Sequence, residues 1–293
     1  MRKVLIIGGN RFVGLRLSLL LDTRKDIDLH VVNRTGQVAH AKNATIHKGD
    51  RSHLDATILD RDWDIVFDFA VYKGAEARHA LEYFKNVGRY IYISPVSVYD
   101  PGHLLDETKF HPLTWDYHET IRPGEEPYQF GKRQVEAVFS KECPWPHLAV
   151  RLPLILGPDD YTGRLSFHID RIKNGQPIFI PNMDSRISVI HAGDAANFLL
   201  YSLDHAHTGP LNVASPDPVR LGDLIALIER KTLKSAIRLK QLIPGTESPY
   251  GGKTDFSVST AKMGGLGFMI RPPSVWLPGL VESLALEGTR EIH

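Results

Sequence analysis

Apolar residues fall along this chain in two alternating rhythms. "KVLIIG" (Lys3 to Gly8) is a short unbroken apolar run closed by glycine, as in a strand buried on both faces of a parallel sheet. "FVGLRLSLLLDT" follows, apolar enough for a buried helix. "DLHVVNR", "ATIHKGDR", "WDIVFDFA" and "GRYIYIS" read as the second to fifth strands, with "EARHALEYFKNV" a helix before the fifth. Strand and helix alternating across short polar joints predict an α/β fold with a doubly wound parallel sheet.

The rhythm fails after Val98. "YDPGHLLDETKFHPLTWDYHETIRPGEEP" is rich in turn residues and aperiodic, the mark of a functional loop inside a compact domain. A helix resumes near Pro127, followed by the strand "HLAVRLP". Beyond "LGPDD" the elements shorten to "FHIDRIKNG", "PIFI", "ISVIHAGDAANFLLYSL", "LNVAS" and "LGDLIALIERKT". The expected division is a Rossmann-type nucleotide-binding domain over residues 1–155, to which residues 187–205 return. Most of 156–293 then forms a smaller substrate-binding lobe.

Composition narrows the possibilities. With 293 residues, 42% of them hydrophobic, a normal core can be buried without disulfide or metal staples. The net charge of +1 and the lack of an obvious basic run give no reason to expect a nucleic acid or a membrane as partner. No stretch has the length of a membrane span. Cys143 is the sole cysteine, so an intramolecular disulfide is impossible; with no visible signal peptide, a cytoplasmic protein is expected. None of the 14 histidines has ligand spacing, and His103, His111 and His118 read as a solvated loop, so no metal is expected.

Candidate chemistry begins at "IIGGNRFVG". A glycine loop between a buried strand and a helix presents backbone N–H groups to a pyrophosphate. Gly8 permits the tight turn and Gly14 lets the helix approach the sheet. Arg11 stands where a second glycine is usual, in a loop that also carries Asn10, Phe12 and Val13. An NAD site usually offers an acid to the ribose after the second strand; here "VVNRT" offers Asn33 and Arg34. Arg11 and Arg34 together would fork a 2′-phosphate, favouring NADP(H) and leaving NAD(H) open. In "KGDR", Asp50 can accept from the adenine amino group and Arg51 can lie against the ring; otherwise Asp50 or Ser52 would cap the next helix.

In "YQFGK", Tyr128 and Lys132 share a helix face. An ammonium beside a phenol lowers its pKa, so the phenolate can take a proton from a substrate hydroxyl. With "YIYISPVSVYD", "RLPLILGPDDYTGR" and "RISVIHAGDAA", the chain resembles the short-chain dehydrogenase/reductase superfamily in its extended or atypical branch, the NAD-dependent epimerase/dehydratase family. The arginine-substituted loop is most similar to a subgroup that includes plastid stem-loop RNA-binding proteins.

The resemblance implies Tyr128 and Lys132 as catalytic residues, and Phe69, Ala70, Ser94, Pro153 and Leu154 as cofactor contacts. It implies Arg164 and Arg186 as substrate contacts, with a nucleotide-sugar diphosphate as one candidate, and a homodimer. It also implies a catalytic serine or threonine four residues before Tyr99, where this chain has Pro95. Losing that donor would cost about 2.7–4 kcal/mol of barrier. Ser97 would compensate if the backbone stays extended, or Tyr128 would meet the hydroxyl unaided; Ser94 should point elsewhere. The expected function is NAD(P)-dependent oxidation, epimerisation or dehydration of a hydroxyl-bearing small molecule. The alternatives are a catalytically weak NADP(H)-binding regulator and an RNA-binding member.

Overall fold

The structure is a computed structural model that describes residues 1–121 and 123–287. The first half runs β1 (Arg2–Ile7), α1 (Phe12–Asp22), β2 (Ile27–Asn33), β3 (Thr45–Lys48), α2 (Ala56–Leu59), β4 (Ile65–Asp68), α3 (Gly74–Tyr83), β5 (Tyr90–Pro95), β6 (Gly102–Leu105), α4 (Pro127–Glu142) and β7 (His147–Leu152). Then come β8 (Leu154–Leu156), α5 (Arg164–Lys173), β9 (Pro177–Ile178), β10 (Arg186–Ile187), β11 (Val189–His191), α6 (Ala192–Tyr201) and β12 (Gly209–Asn212). The chain closes with β13 (Val219–Arg220), α7 (Leu221–Thr232), β14 (Ile237–Arg238), β15 (Phe256–Val258), α8 (Ala261–Gly265) and α9 (Pro273–Leu286). Among the described residues no helix is long and apolar enough to cross a membrane.

These elements form two compact units. The first comprises residues 1–99, 107–152 and 195–213. Its sheet has seven parallel strands in the order β12-β7-β5-β4-β1-β2-β3. Strand order reverses between β1 and β4, and ligands of open α/β sheets bind outside the carboxyl ends of the strands at such a point. Register aligns those ends: Ile7 pairs with Val32 of β2 and with Asp68 of β4. Val4 to Ile7 are all buried, as a central parallel strand covered on both faces requires. On the side of α3 and α4, Leu5, Val66, Tyr90, Tyr92, Val135 and Phe139 fill the core. Tyr92 stacks on Phe139 with ring centroids 4.4 Å apart.

The segment that returns to this unit is Ala195–Val213, and its strand β12 pairs with β7. Residues Arg186–His191 instead pair inside the second unit. That unit comprises residues 100–106, 153–194 and 214–287. It contains a four-stranded sheet (β13-β10-β15-β6) and the two-stranded pairs β11-β8 and β14-β9. Its core joins α5, α7 and α9 through Ile169, Ile172, Leu224, Ile228, Trp276 and Val281. β6 falls in the stretch that reads as pure loop, because its partner is β15, far along the chain.

Candidate functional site

The glycine loop has the geometry of an anion cradle. Gly8 has φ +89°, a conformation open to glycine, and a Cβ there would stand 3.3 Å from that of Phe69. A Cβ on Gly14 would lie 3.0 Å from the Gly8 carbonyl oxygen, so α1 closes directly on the loop. Arg11 has φ −140° and ψ 149°, ordinary extended backbone, so an arginine fits there without strain. The left-handed conformation falls on Phe12, at φ +48°. Residues in such conformations cluster at functional sites. The helix that starts here has no side-chain cap and no acid in its first turn. Its leading N–H groups therefore present the positive end of the helix with no side-chain cap and no first-turn acid beside it.

Arg11 and Arg34 are both exposed. Their loops are tied together where Asn10 Nδ2 donates to Thr35 Oγ1 at 3.3 Å. Asn33 is buried, and its Oδ1 accepts from the N–H groups of Thr35 and Gly36 at 3.0 and 2.8 Å. It thus builds the turn that presents Arg34. Val13 is buried in α1.

Asp50 is exposed; the Ser52 N–H bond and the nearby Arg34 charge hold its carboxyl below the ordinary value. The cap of α2 is Asp55, which accepts from Thr57 N–H at 2.9 Å, not Asp50 or Ser52. Arg51 is turned inward. Its Nε donates to Asp68 Oδ2 at 2.8 Å and its Nη1 to the Glu76 carbonyl at 2.6 Å. Burial opposes this charge, but Asp68 and the other acceptors outweigh it and raise the pKa. Asp68 is fully buried and also accepts from the Tyr90 hydroxyl (2.7 Å) and the Ala70 N–H (2.8 Å). So Arg51 braces the end of β4, just before Phe69 and Ala70, a role its exposed-looking "KGDR" context does not announce.

Lys132 is buried, with Nζ donating to the carbonyls of Val71 (2.7 Å) and Ile93 (3.0 Å). The ammonium thus sits at the carboxyl ends of β4 and β5. Desolvation lowers its pKa to about 8, against the opposing pull of Asp68, Glu76 and Glu136. Tyr128 is 53% exposed, and its ring centroid is 6.0 Å from Nζ. Tyr72 comes closer, at 4.5 Å, and its ring lies 6.4 Å from that of Tyr128. Tyr72 escapes a search for spaced motifs because it reaches the lysine from the loop after β4.

The region that should supply a third hydroxyl is differently built. Pro95 ends β5, and Val96–Val98 form a 3-10 turn closed by Tyr99 N–H to the Val96 carbonyl at 3.0 Å. The backbone does not stay extended, so the condition that would put Ser97 on the Pro95 side is not met. α4 holds the turn: Arg133 Nε donates to the Val98 carbonyl and Gln129 Nε2 to that of Tyr99, both at 2.7 Å. The Ser97 hydroxyl is buried with no partner among the described residues.

Ser94 donates to Glu136 Oε1 at 2.5 Å. Glu136 and Arg151 are wholly buried and paired, with Arg151 Nη2 2.5 Å from Glu136 Oε2. Arg151 Nη1 also donates to the Tyr99 hydroxyl (2.6 Å), which donates in turn to Asn212 Oδ1 (2.7 Å). This network joins β5, α4, β7 and β12 of the first unit.

In the second unit, Pro153 is buried and Leu154 opens β8. Arg164 is exposed at the first position of α5, whose N-cap is Gly163 with no side-chain bond. Tyr250 packs against that turn through His168, with ring centroids 4.7 Å apart. The Tyr250 hydroxyl is buried without a partner among the described residues. Desolvation and Asp160 raise its pKa, against Arg164. Arg186 is exposed at the start of β10, where its N–H donates to Asp255 Oδ1 at 2.8 Å. Of the histidines read as solvated, His103 pairs with Asp255 at 2.7 Å. His118 stacks on Phe130.

A doubly wound sheet with an anion-ready turn after β1 and a lysine–phenol pair beyond β5 defines a dinucleotide-binding class of protein. The family model for the NAD dependent epimerase/dehydratase family matches residues 4–214, and the chain belongs to that family. It is 27% identical over 217 residues to the chloroplast stem-loop binding protein of 41 kDa b from Arabidopsis thaliana. That match takes in 68% of this chain and spans about half (54%) of the relative's length. Among solved structures, the UDP-glucuronic acid 4-epimerase of Bacillus cereus, in complex with UDP-glucuronic acid and NAD, superposes with TM-score 0.74 at 16% identity. Here 97% of this chain and 98% of that one are covered. The Thermus thermophilus UDP-glucose 4-epimerase in complex with NAD gives 0.69 at 16% identity, with 97% of each chain covered. At these identities the likeness is one of fold.

Proposed function

We propose that the first unit binds a nicotinamide dinucleotide, NADP(H) in preference to NAD(H), and that the protein acts on a hydroxyl-bearing small molecule as an oxidoreductase, epimerase or dehydratase. The residues fit the cofactor. The bare start of α1 suits a pyrophosphate, and the exposed Arg11 and Arg34, on loops joined by Asn10 and Thr35, suit a 2′-phosphate. When bound, the dinucleotide supplies the hydride acceptor or donor.

The observation that carries the reading is the Lys132 ammonium, buried at the ends of β4 and β5 beside the exposed Tyr128 ring. Tyr128 takes the proton from the substrate hydroxyl, and Lys132 stabilises the phenolate. In the second unit, Arg164 at the bare start of α5, with Arg186 as a further cation, suits an anionic substrate group such as the diphosphate of a nucleotide sugar.

The test is a fluorescence titration with NADPH and NADH, in which Arg11→Ala and Arg34→Ala should each weaken NADPH about tenfold and leave NADH unchanged. Turnover is probed with NADP⁺ and UDP-glucuronic acid or UDP-glucose, following the sugar by NMR. Tyr128→Phe should abolish any conversion. No NADPH binding at millimolar concentration would overturn the proposal.

A second reading, cofactor binding with little turnover, is favoured by where the nearby hydroxyls lie among the described residues: Pro95 has none, Ser94 donates to Glu136, and the Ser97 hydroxyl is buried. It predicts tight NADPH binding and no conversion of either sugar nucleotide. The stem-loop binding in the name of the Arabidopsis relative favours a third reading, that this chain binds RNA, which a steeply salt-dependent affinity for an RNA hairpin would reveal.

A further inference from the structure

The whole-chain charge of +1 conceals an uneven distribution. Residues 230–246 carry Arg230, Lys231, Lys234, Arg238 and Lys240 and no acid. This segment alone is +5, and the rest of the chain is −4. Leucines, isoleucines and polar residues are interleaved with these cations, so they form no unbroken basic run. In the second unit the segment leaves α7, turns at Leu233 and forms β14, an edge strand paired only with β9. Lys231 pairs with Glu282 at 2.7 Å. Arg230, Lys234, Arg238 and Lys240 are exposed and pair with no acid among the described residues.

The same stretch displays aliphatic side chains. Leu233 is 88% exposed, and Ile237, Leu242 and Ile243 are about half exposed. Leu233 has φ +54° and ψ 31°, at a helix end where glycine or asparagine is usual. One residue therefore bears both a strained backbone and a bare apolar side chain. A strained outlier of this kind points toward function.

We propose that this edge docks the protein on an anionic lipid bilayer, with the four exposed cations meeting the headgroups and Leu233 and Ile237 entering the interface. Cations mixed with protruding aliphatics fit such a surface. A nucleic acid would meet the cations but leave Leu233 and Ile237 in water, and a single strand would find no aromatic stacking platform, since residues 230–246 contain no aromatic side chain. A symmetric second copy would bring the same four cations face to face.

The experiment is co-sedimentation of the full chain with vesicles of 70% phosphatidylcholine and 30% phosphatidylglycerol, or of phosphatidylcholine alone, from 50 to 500 mM NaCl. Binding should require the anionic lipid and fall with salt. Each cation is worth about fivefold in partitioning, so the triple variant Lys234→Gln, Arg238→Gln, Lys240→Gln should bind about a hundredfold more weakly. Leu233→Asn should weaken binding severalfold while raising the melting temperature, because asparagine tolerates the left-handed conformation. All four positions are exposed, so the variants fold, as circular dichroism would verify. Absence of anionic-vesicle binding at 50 mM NaCl overturns the proposal, and so does binding unchanged in either variant. An RNA hairpin bound in preference to vesicles, with Leu233→Asn without effect, overturns it in favour of nucleic acid.

Discussion

Replacing Lys132 by methionine isolates the energetic consequence of burying its charge. A pKa brought from 10.5 to about 8 corresponds to about 3 kcal/mol of differential stabilisation between the two protonation states. Its sign follows from proton counting. Below pH 8 the lysine is charged in both folded and unfolded chains, and the desolvation penalty is fully present. Between about pH 8 and 10.5 the folded chain holds fewer protons than the unfolded one, so stability rises with pH. The methionine variant strands the carbonyls of Val71 and Ile93, which adds a pH-independent cost of about 1–3 kcal/mol for each. Urea unfolding followed by tryptophan fluorescence from pH 7 to 10.5 measures the difference between wild type and variant. That difference should grow in favour of wild type by about 3 kcal/mol over the range. A flat difference would mean that Lys132 keeps an ordinary pKa and that its burial does not penalise the charge.

Glu136→Ala should destabilise the fold by about 3–5 kcal/mol by leaving Arg151 buried and unpaired, and Glu136→Ala/Arg151→Ala should cost less than the two single changes summed; chemical denaturation of the four proteins checks this. Gly131→Ala would place a Cβ 2.5 Å from the Tyr72 carbonyl oxygen, so α4 must move from the loop after β4. Melting temperature and any turnover should fall together, with less effect on NADPH affinity. Pro95→Ser should raise any conversion measured with the sugar nucleotides; an unchanged or lower rate would show that the site works around the proline.

The carboxyl-edge site and the fold differ in how far they can be read from the chain. The strands β1, β2, β4 and β5 and the helices α1 and α4 are legible because each has its own apolar period, and burial on both faces leaves unbroken runs such as "KVLII". Gly8, Tyr128 and Lys132 are legible because turn geometry and helical spacing are local.

What escapes is what depends on partners far along the chain. β6 becomes a strand only because β15 offers it an edge. Arg51 faces inward because Asp68, at the end of a different strand, is buried and needs a counter-charge. The stretch that carries Ser97 turns instead of staying extended, and α4 holds that turn by donating to the carbonyls of Val98 and Tyr99. Tyr72 meets the lysine only once β4 and α4 are packed. Periodicity, turn chemistry and the lysine–tyrosine spacing were thus decided by sequence, through interactions spanning a few residues. The buried charge pairs, the fate of each serine and the second phenol were decided by tertiary packing, since a buried polar group must find its partner wherever the fold places one.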